Sequence, residues 1–279
     1  MKKNRSDAYV EINILVALDA NYLRPLRVLL QSLFMNSVGV RFRIYLMHSS
    51  ITEEQLDSLA RFVEKQEHEF FVILVKDDYF KDAPVVGHYT KEMYYRLLAY
   101  QFLPSDLDKA LYLDPDILVI NDISTLYEQD ISDYLFAAAY HERPSIREIN
   151  RLRLKGYDIE AYYNSGVLLM NLALQRKKID PQDIFNFVEK NKKRLILPDQ
   201  DIINALYSKE IKNVDEVLFN YDPRYYRYYK LVSNGKYDMD YVINHTVVLH
   251  FCGKKKPWHK NYSGKFHSLY KHYEKIAFS

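Results

Sequence analysis

Cys252 is the only cysteine in 279 residues, so no disulfide can close within the chain and a cysteine-built zinc site is out of reach. That scarcity fits a reducing cytoplasm. No uninterrupted apolar stretch approaches the roughly 20 residues that a spanning helix needs, which restricts any membrane contact to the periphery of the inner face. Lys2, Lys3 and Arg5 precede the apolar residues 12–18, but Asp7 and Glu11 interrupt the pattern and no small-residue cleavage site follows. A secretory signal is therefore not expected. Charge of one sign is also missing: 39 Lys and Arg stand against 37 Asp and Glu, giving a formal +2. This balance carries no global signature of nucleic-acid binding, and no nucleic acid is expected as a partner. Repeats and low-complexity linkers are lacking too. With 48% hydrophobic residues the chain can bury one large core.

What is present alternates. Residues 12–18 read as a strand ending at Asp19, and 22–36 have helical spacing with Pro25 in an early turn. Residues 41–47 alternate as a strand does. Thr52 and Gln55 form a capping box for a helix to about residue 66, and 70–75 is the next strand. This rhythm predicts an α/β fold, a mainly parallel sheet flanked by helices, with ligands at the carboxyl ends of its strands. Further on, 91–103 is helical in spacing, 110–113 and 117–120 are short strands around Asp114-Pro115-Asp116, and 135–139 and 166–172 are strand candidates. The polar stretch 142–160 reads as either helix or loop. Residues 180–193 and 199–207 read as helices, the first with Asp180 and Pro181 as start signals, and 247–251 is a last strand. The expected division is a catalytic domain over 1–258 and a basic, aromatic tail over 259–279.

Three segments at strand ends can carry chemistry. Asp114 and Asp116 are two residues apart, so alternation can aim both at one side, where a divalent cation would offset their repulsion. The pair alone also fits a solvated turn or a helix-start cap. His250-Phe251-Cys252-Gly253-Lys254-Lys255-Lys256 offers an imidazole that can join two carboxylates on a metal, a glycine that permits close approach and a lysine for phosphate. A core histidine beside a basic surface loop is the plainer alternative. Ala17, Asp19 and Asn21 follow the first strand, where Asp19 can accept from a base or ribose or can cap the next helix.

Together these segments resemble the family 8 glycosyltransferases, the group that contains bacterial lipopolysaccharide galactosyl- and glucosyltransferases and glycogenin. The motifs fall in order along 12–258: the turn at Ala17, Asp19 and Asn21; Tyr95-Arg96-Leu97; Leu113-Asp114-Pro115-Asp116; Tyr163-Asn164-Ser165-Gly166-Val167; Pro198-Asp199-Gln200-Asp201; and the segment from His250 to Trp258. Pro115 and Ser165 depart from the residues usual in the family, a small residue and alanine. The resemblance implies a GT-A fold, retention at the anomeric carbon, Mn2+ or Mg2+, and UDP-glucose or UDP-galactose as donor. Asp114, Asp116 and His250 would then be metal ligands, and Ala17, Asp19 and Asn21 would line the uridine pocket. Gly253 and Lys256 would hold the diphosphate. Arg96, Asn164 and Asp199 would hold the donor sugar, beside Pro115, Ser165 and Gly166, with Gln200 and Asp199 at the reacting face. The implied acceptor is a saccharide or glycolipid of the cell envelope, as in lipopolysaccharide biosynthesis.

Two other activities compete. Asp114-Pro115-Asp116 also resembles the nucleophile segment of haloacid dehalogenase-like phosphatases, although that segment normally follows the first core strand. Self-glucosylation on one of 26 tyrosines, as in glycogenin, is a variant of the transferase reading. Outside the motifs, the tyrosines and bases of 219–229 and His88 are candidates for the acceptor side. The lysines and aromatics of 259–279 suit an anionic membrane surface.

Overall fold

The protein is described by a computed structural model covering residues 10–80, 83, 84, 91–140, 154, 156, 157, 159 and 161–279; His88 and most of 142–160 lie outside the described residues. Strand β1 (Val10–Ala17) pairs in parallel with β2 (Val40–His48), from Val10 opposite Val40 to Ala17 opposite Met47. Parallel β3 (Glu69–Leu74) flanks β2, and parallel β4 (Lys109–Leu113) flanks β1 on its other side. The sheet continues through β7 (Val167–Asn171) and β6 (Phe136–Ala138) to β8 (Ile211–Asn213). Only β7 runs against its neighbours, so the sheet is mainly parallel as expected.

Short β5 (Ile117–Val119) does not prolong β4. It leaves the sheet after the Asp114–Asp116 turn and pairs antiparallel with β9 (Val248–His250).

The register puts four chain segments at one edge. The carboxyl ends of β1 and β4 point the same way, and antiparallel β7 sets Val167 opposite Leu113, which delivers residues 164–166 to Asp114. The amide of Asp114 donates to the Gly166 carbonyl at 2.8 Å. Pairing of Ile117 with His250 brings the histidine beside Asp116, and the Phe251 amide donates to the Asp116 carbonyl at 3.0 Å.

Helices cover both faces. On one, α1 (Leu23–Asn36) buries Leu26, Leu29, Leu30 and Leu33, the spacing of one helical stripe, against β1, β2 and β4. Each of these leucines contributes roughly 1.5–3 kcal/mol through burial. Next to it, α2 (Glu53–Glu64) begins with the expected capping box: Gln55 N donates to Thr52 Oγ1 at 3.4 Å and Thr52 N to Gln55 Oε1 at 3.2 Å. The opposite face carries α3 (Leu172–Lys178), α4 (Pro181–Asn191), capped by Asp180, and α5 (Pro198–Tyr207). Residues 91–101 form three short helical turns, Lys91–Tyr94, Tyr95–Leu98 and Ala99–Gln101, rather than one helix.

Beyond β8 lie α6 (Tyr226–Val232), α7 (Met239–His245) and α8 (His267–Ala277). They enclose a third apolar cluster in which Tyr221, Leu249, Phe251 and Tyr270 are buried. Of the aromatics in 259–279, Phe266, Tyr270 and Tyr273 face this core, while Lys260, Lys265, Lys271 and Lys275 are exposed. Among the described residues no helix is long and apolar enough to cross a membrane.

Candidate functional site

Asp114, Asp116 and His250 each offer a ligand atom, and these atoms lie within 4.8 Å of one another. Their attachments are rigid: a strand end, a tight turn locked by Pro115, and the last residue of β9. Asp114 Oδ1 accepts from the Tyr112 hydroxyl at 2.6 Å and pairs with Arg96 Nη2 at 3.0 Å. Its Oδ2 is 3.9 Å from His250 Nε2. Asp116 Oδ1, which is buried, lies 3.2 Å from the same nitrogen and has no other partner among the described residues. Asp116 Oδ2 pairs with Lys256 Nζ, which also donates to the Phe251 carbonyl at 3.0 Å.

The charges answer one another. Burial pushes the Asp116 carboxyl up, but the His250 and Lys256 charges and hydrogen bonds outweigh it and hold the group well below the usual carboxylate range. Burial likewise disfavours a charged His250, and Cys252 and Asp116 overcome that to lift it well above the ordinary imidazole value. The cluster therefore draws positive charge to itself.

A divalent cation fits this arrangement. The donors are two carboxylates and an imidazole, a mixed set suited to a hard or borderline divalent ion. Apart from His250 Nε2, buried Asp116 Oδ1 has no donor among the described residues. His250 Nδ1 lies 2.8 Å from Asn220 Oδ1 and donates to it, which leaves Nε2 facing the carboxylates, where it would give up its own proton to take a cation. Asn220 was not singled out by the sequence reading. Gly166 keeps the space open: a Cβ there would stand 2.3 Å from His250 Cε1 and 2.6 Å from Asp114 Oδ2.

Arg96 braces the donor side. It joins Asp114 to Asp199 Oδ2 (3.1 Å), donates to the Ser165 carbonyl (3.2 Å) and lies over the Tyr112 ring at 4.5 Å. Asp199 Oδ2 also accepts from Ser165 Oγ at 2.9 Å. Gln200 Oε1 accepts from Asn164 Nδ2 (3.3 Å) and the Ser165 amide (3.4 Å), and Asn164 Oδ1 holds the Gly166 amide at 2.9 Å. The segments at 96, 114, 164–166 and 199–200 thus form one hydrogen-bonded wall.

A cavity of about 390 Å3 opens above it. Ala17, Asp19, Arg96, Asp114, Pro115, Asp116, Asp199 and Lys256 line it. Asp19 both faces this space and caps the turn Ala20–Tyr22, accepting from the Asn21 amide at 2.7 Å. Asn21 itself is exposed and lies off the cavity lining. Gly253 faces a different cleft, with φ of +87° and its Cα against Arg224.

Comparison with known proteins bears on the family and the fold. The chain is 26% identical over 274 residues to general stress protein A of Bacillus subtilis, covering 94% of this chain and 92% of that one. It is 26% identical over 256 residues to a lipopolysaccharide 1,2-glucosyltransferase of Escherichia coli, covering 88% and 73%. A crystal structure of the galactosyltransferase LgtC with donor and acceptor sugar analogues superposes with a TM-score of 0.79 at 24% identity, over 95% of this chain and 96% of that one. The glycosyltransferase GlyE of Streptococcus pneumoniae superposes with a TM-score of 0.69 at 21% identity, over 96% and 62%. The shared architecture is the GT-A fold. Residues 13–262, nearly the whole chain, match the family described as glycosyl transferase family 8, and the chain belongs to that family.

Proposed function

We propose that this protein is a retaining transferase that moves glucose or galactose from a UDP-sugar to a hydroxyl of a saccharide or glycolipid acceptor. One observation carries the reading: Asp114, Asp116 and Lys256 line one cavity with Arg96 and Asp199, and His250 completes the ligand cluster with the two carboxylates. Family membership sets aside the phosphatase alternative. The names of the relatives, a lipopolysaccharide glucosyltransferase among them, support a cell-envelope saccharide as acceptor.

Asp114, Asp116 and His250 would hold Mn2+ or Mg2+, which when bound supplies Lewis-acid neutralisation of the diphosphate. Lys256, which lines the same cavity, would place its ammonium on the departing phosphate oxygens, where negative charge grows as the glycosidic bond breaks. Ala17 and Asp19 flank the base and ribose. Retention by a covalent intermediate needs a free carboxylate beside the anomeric carbon. Asp199 is committed to Arg96 and Ser165, and Gln200 is an amide, a poor nucleophile. Both are instead positioning groups for attack by the acceptor on the face that the UDP leaves.

The test is UDP release from a panel of UDP-sugars with manganese, magnesium or chelator. Turnover of one UDP-hexose is expected with a divalent ion only, falling at least a hundredfold in Asp116→Ala. Equal turnover in chelator would sink the metal assignment, and a hexose adduct trapped on Asp199 would sink the front-face route. Intact mass after donor addition separates transfer to an acceptor from self-glucosylation.

A further inference from the structure

A second cleft, of about 870 Å3, lies behind the loop that carries His250, and it is lined by Arg224, Arg227, Lys254, Lys255 and Lys265. Among the described residues no carboxylate lines it. Of the five cations only Arg224 has an ion-pair partner among the described residues. Asp222, fully buried beneath the cleft, accepts from Arg224 Nε at 3.0 Å and from Nη2 at 2.6 Å. That grip fixes the guanidinium and leaves Nη1 turned to Gly253, 2.4 Å from where a Cβ would stand. The first turn of α8 opens on the same space with no side-chain cap, adding the partial positive charge of its amides. Mutual repulsion of so many like charges around one hollow is relieved by an anion.

Position ties this cleft to the reaction. Residues 252–255 line it, whereas His250 joins the carboxylate cluster and Lys256 lines the smaller cavity. One loop separates the two spaces. We infer that the cleft seats the phosphate group of an anionic saccharide, so that the acceptor is phosphorylated; this rests on the transferase reading above. A phosphate is favoured over a single carboxylate because its three oxygens and double charge match several cations at once, the remaining Nη1 of the fixed Arg224 together with Arg227 and the lysines.

The experiment is calorimetry on the full chain already loaded with UDP and manganese, titrated with glucose 6-phosphate, glucose or inorganic phosphate. Glucose 6-phosphate is expected to bind the loaded protein, to weaken as salt rises, and to bind at least tenfold more tightly than either of the others. The double variant Arg227→Gln/Lys265→Gln should lose at least tenfold in that affinity and keep the wild-type affinity for UDP and melting temperature. Loss of binding once UDP is loaded would assign the sugar phosphate to the donor side and overturn the inference. So would wild-type affinity in the double variant, or inorganic phosphate binding as tightly as the sugar phosphate. Failure of UDP itself to bind is read in the loading step; it overturns the transferase reading and the acceptor assignment with it.

Discussion

His250 can present Nε2 to a cation only while its other ring nitrogen keeps the proton, and Asn220 Oδ1, 2.8 Å from Nδ1, is what keeps it there. Without that acceptor the ring gains both a second tautomer and rotational freedom. Asn220→Ala should therefore weaken Mn2+ binding by about 10–100-fold, the range usual for loss of an outer-shell partner, while the fold survives. Titration of Mn2+ followed by its electron paramagnetic resonance signal measures this, and unchanged affinity would show that His250 does not need the asparagine. Nothing in the sequence marks Asn220, which stands 30 residues from His250. By contrast Asp114-Pro115-Asp116 and the segment from His250 to Trp258 are contiguous, so residue types alone offered a cation site there, beside a turn or a core histidine. Arg96 was legible as a member of the site but not as its brace, because its bonds to Asp114 and Asp199 join residues far apart in the chain.

At the level of elements, the turn between α2 and β3 carries a histidine wedged between aromatic rings. His68 lies 4.0 Å from the Phe34 ring of α1 and 5.2 Å from the Phe42 ring of β2, and its Nδ1 accepts from the Phe42 amide at 3.3 Å. Burial, and secondarily the Arg41 charge, pull its pKa down from 6.5 to about 4. The folded state thus holds this ring neutral, whereas the unfolded chain takes up a proton below about pH 6.5. Its contribution is complete above that pH, falls as the pH drops from 6.5 to 4 and levels off below. After allowance for solvent screening of the half-buried ring, the loss is about 1–2 kcal/mol. His68→Gln keeps an acceptor for the amide and cannot titrate in this window, so its urea midpoint should vary less between pH 7 and pH 4.5 than that of the wild type. Parallel curves for the two proteins would remove His68 from the acid response. The long elements here were plain in the sequence because α1 and α2 repeat their apolar residues on one helical stripe, β1 is an apolar run and β2 alternates. Three-residue β8 is too short for any period to register. The strand expected over residues 117–120 is present as β5, but its pairing with β9, about 130 residues on, is not written locally.

For the molecule as a whole, the question is whether residues 259–279 are an appendage or part of the core. Their lysines and tyrosines suggested a basic aromatic tail, yet Tyr270, Tyr273 and Ala277 recur at helical intervals, and all three are buried. They meet Val28 of α1, Leu118 of β5 and Leu249 of β9 in one cluster. Two polar ties join the two ends of α1 to adjacent residues inside α8: Asn36 Nδ2 donates to the Tyr273 hydroxyl at 2.8 Å, and Arg24 pairs with Glu274 at 3.1 Å. The exposed pair contributes little; the buried rings contribute most. Since β5 and β9 frame the Asp116–His250 contact, this cluster supports the candidate metal centre from behind. Tyr270 offers the test, because its ring is fully buried while its hydroxyl has no partner among the described residues. Removing the ring in Tyr270→Ala leaves a large cavity and should cost about 3–5 kcal/mol in urea unfolding. Removing only the hydroxyl in Tyr270→Phe discards an unsatisfied polar atom and should be neutral or slightly stabilising. If α8 belongs to the core, Tyr270→Ala must shift one cooperative transition that tracks both α-helical signal and Mn2+ binding. An early transition confined to a few helical residues, with Mn2+ binding intact, would instead make the C-terminal helix a separable attachment.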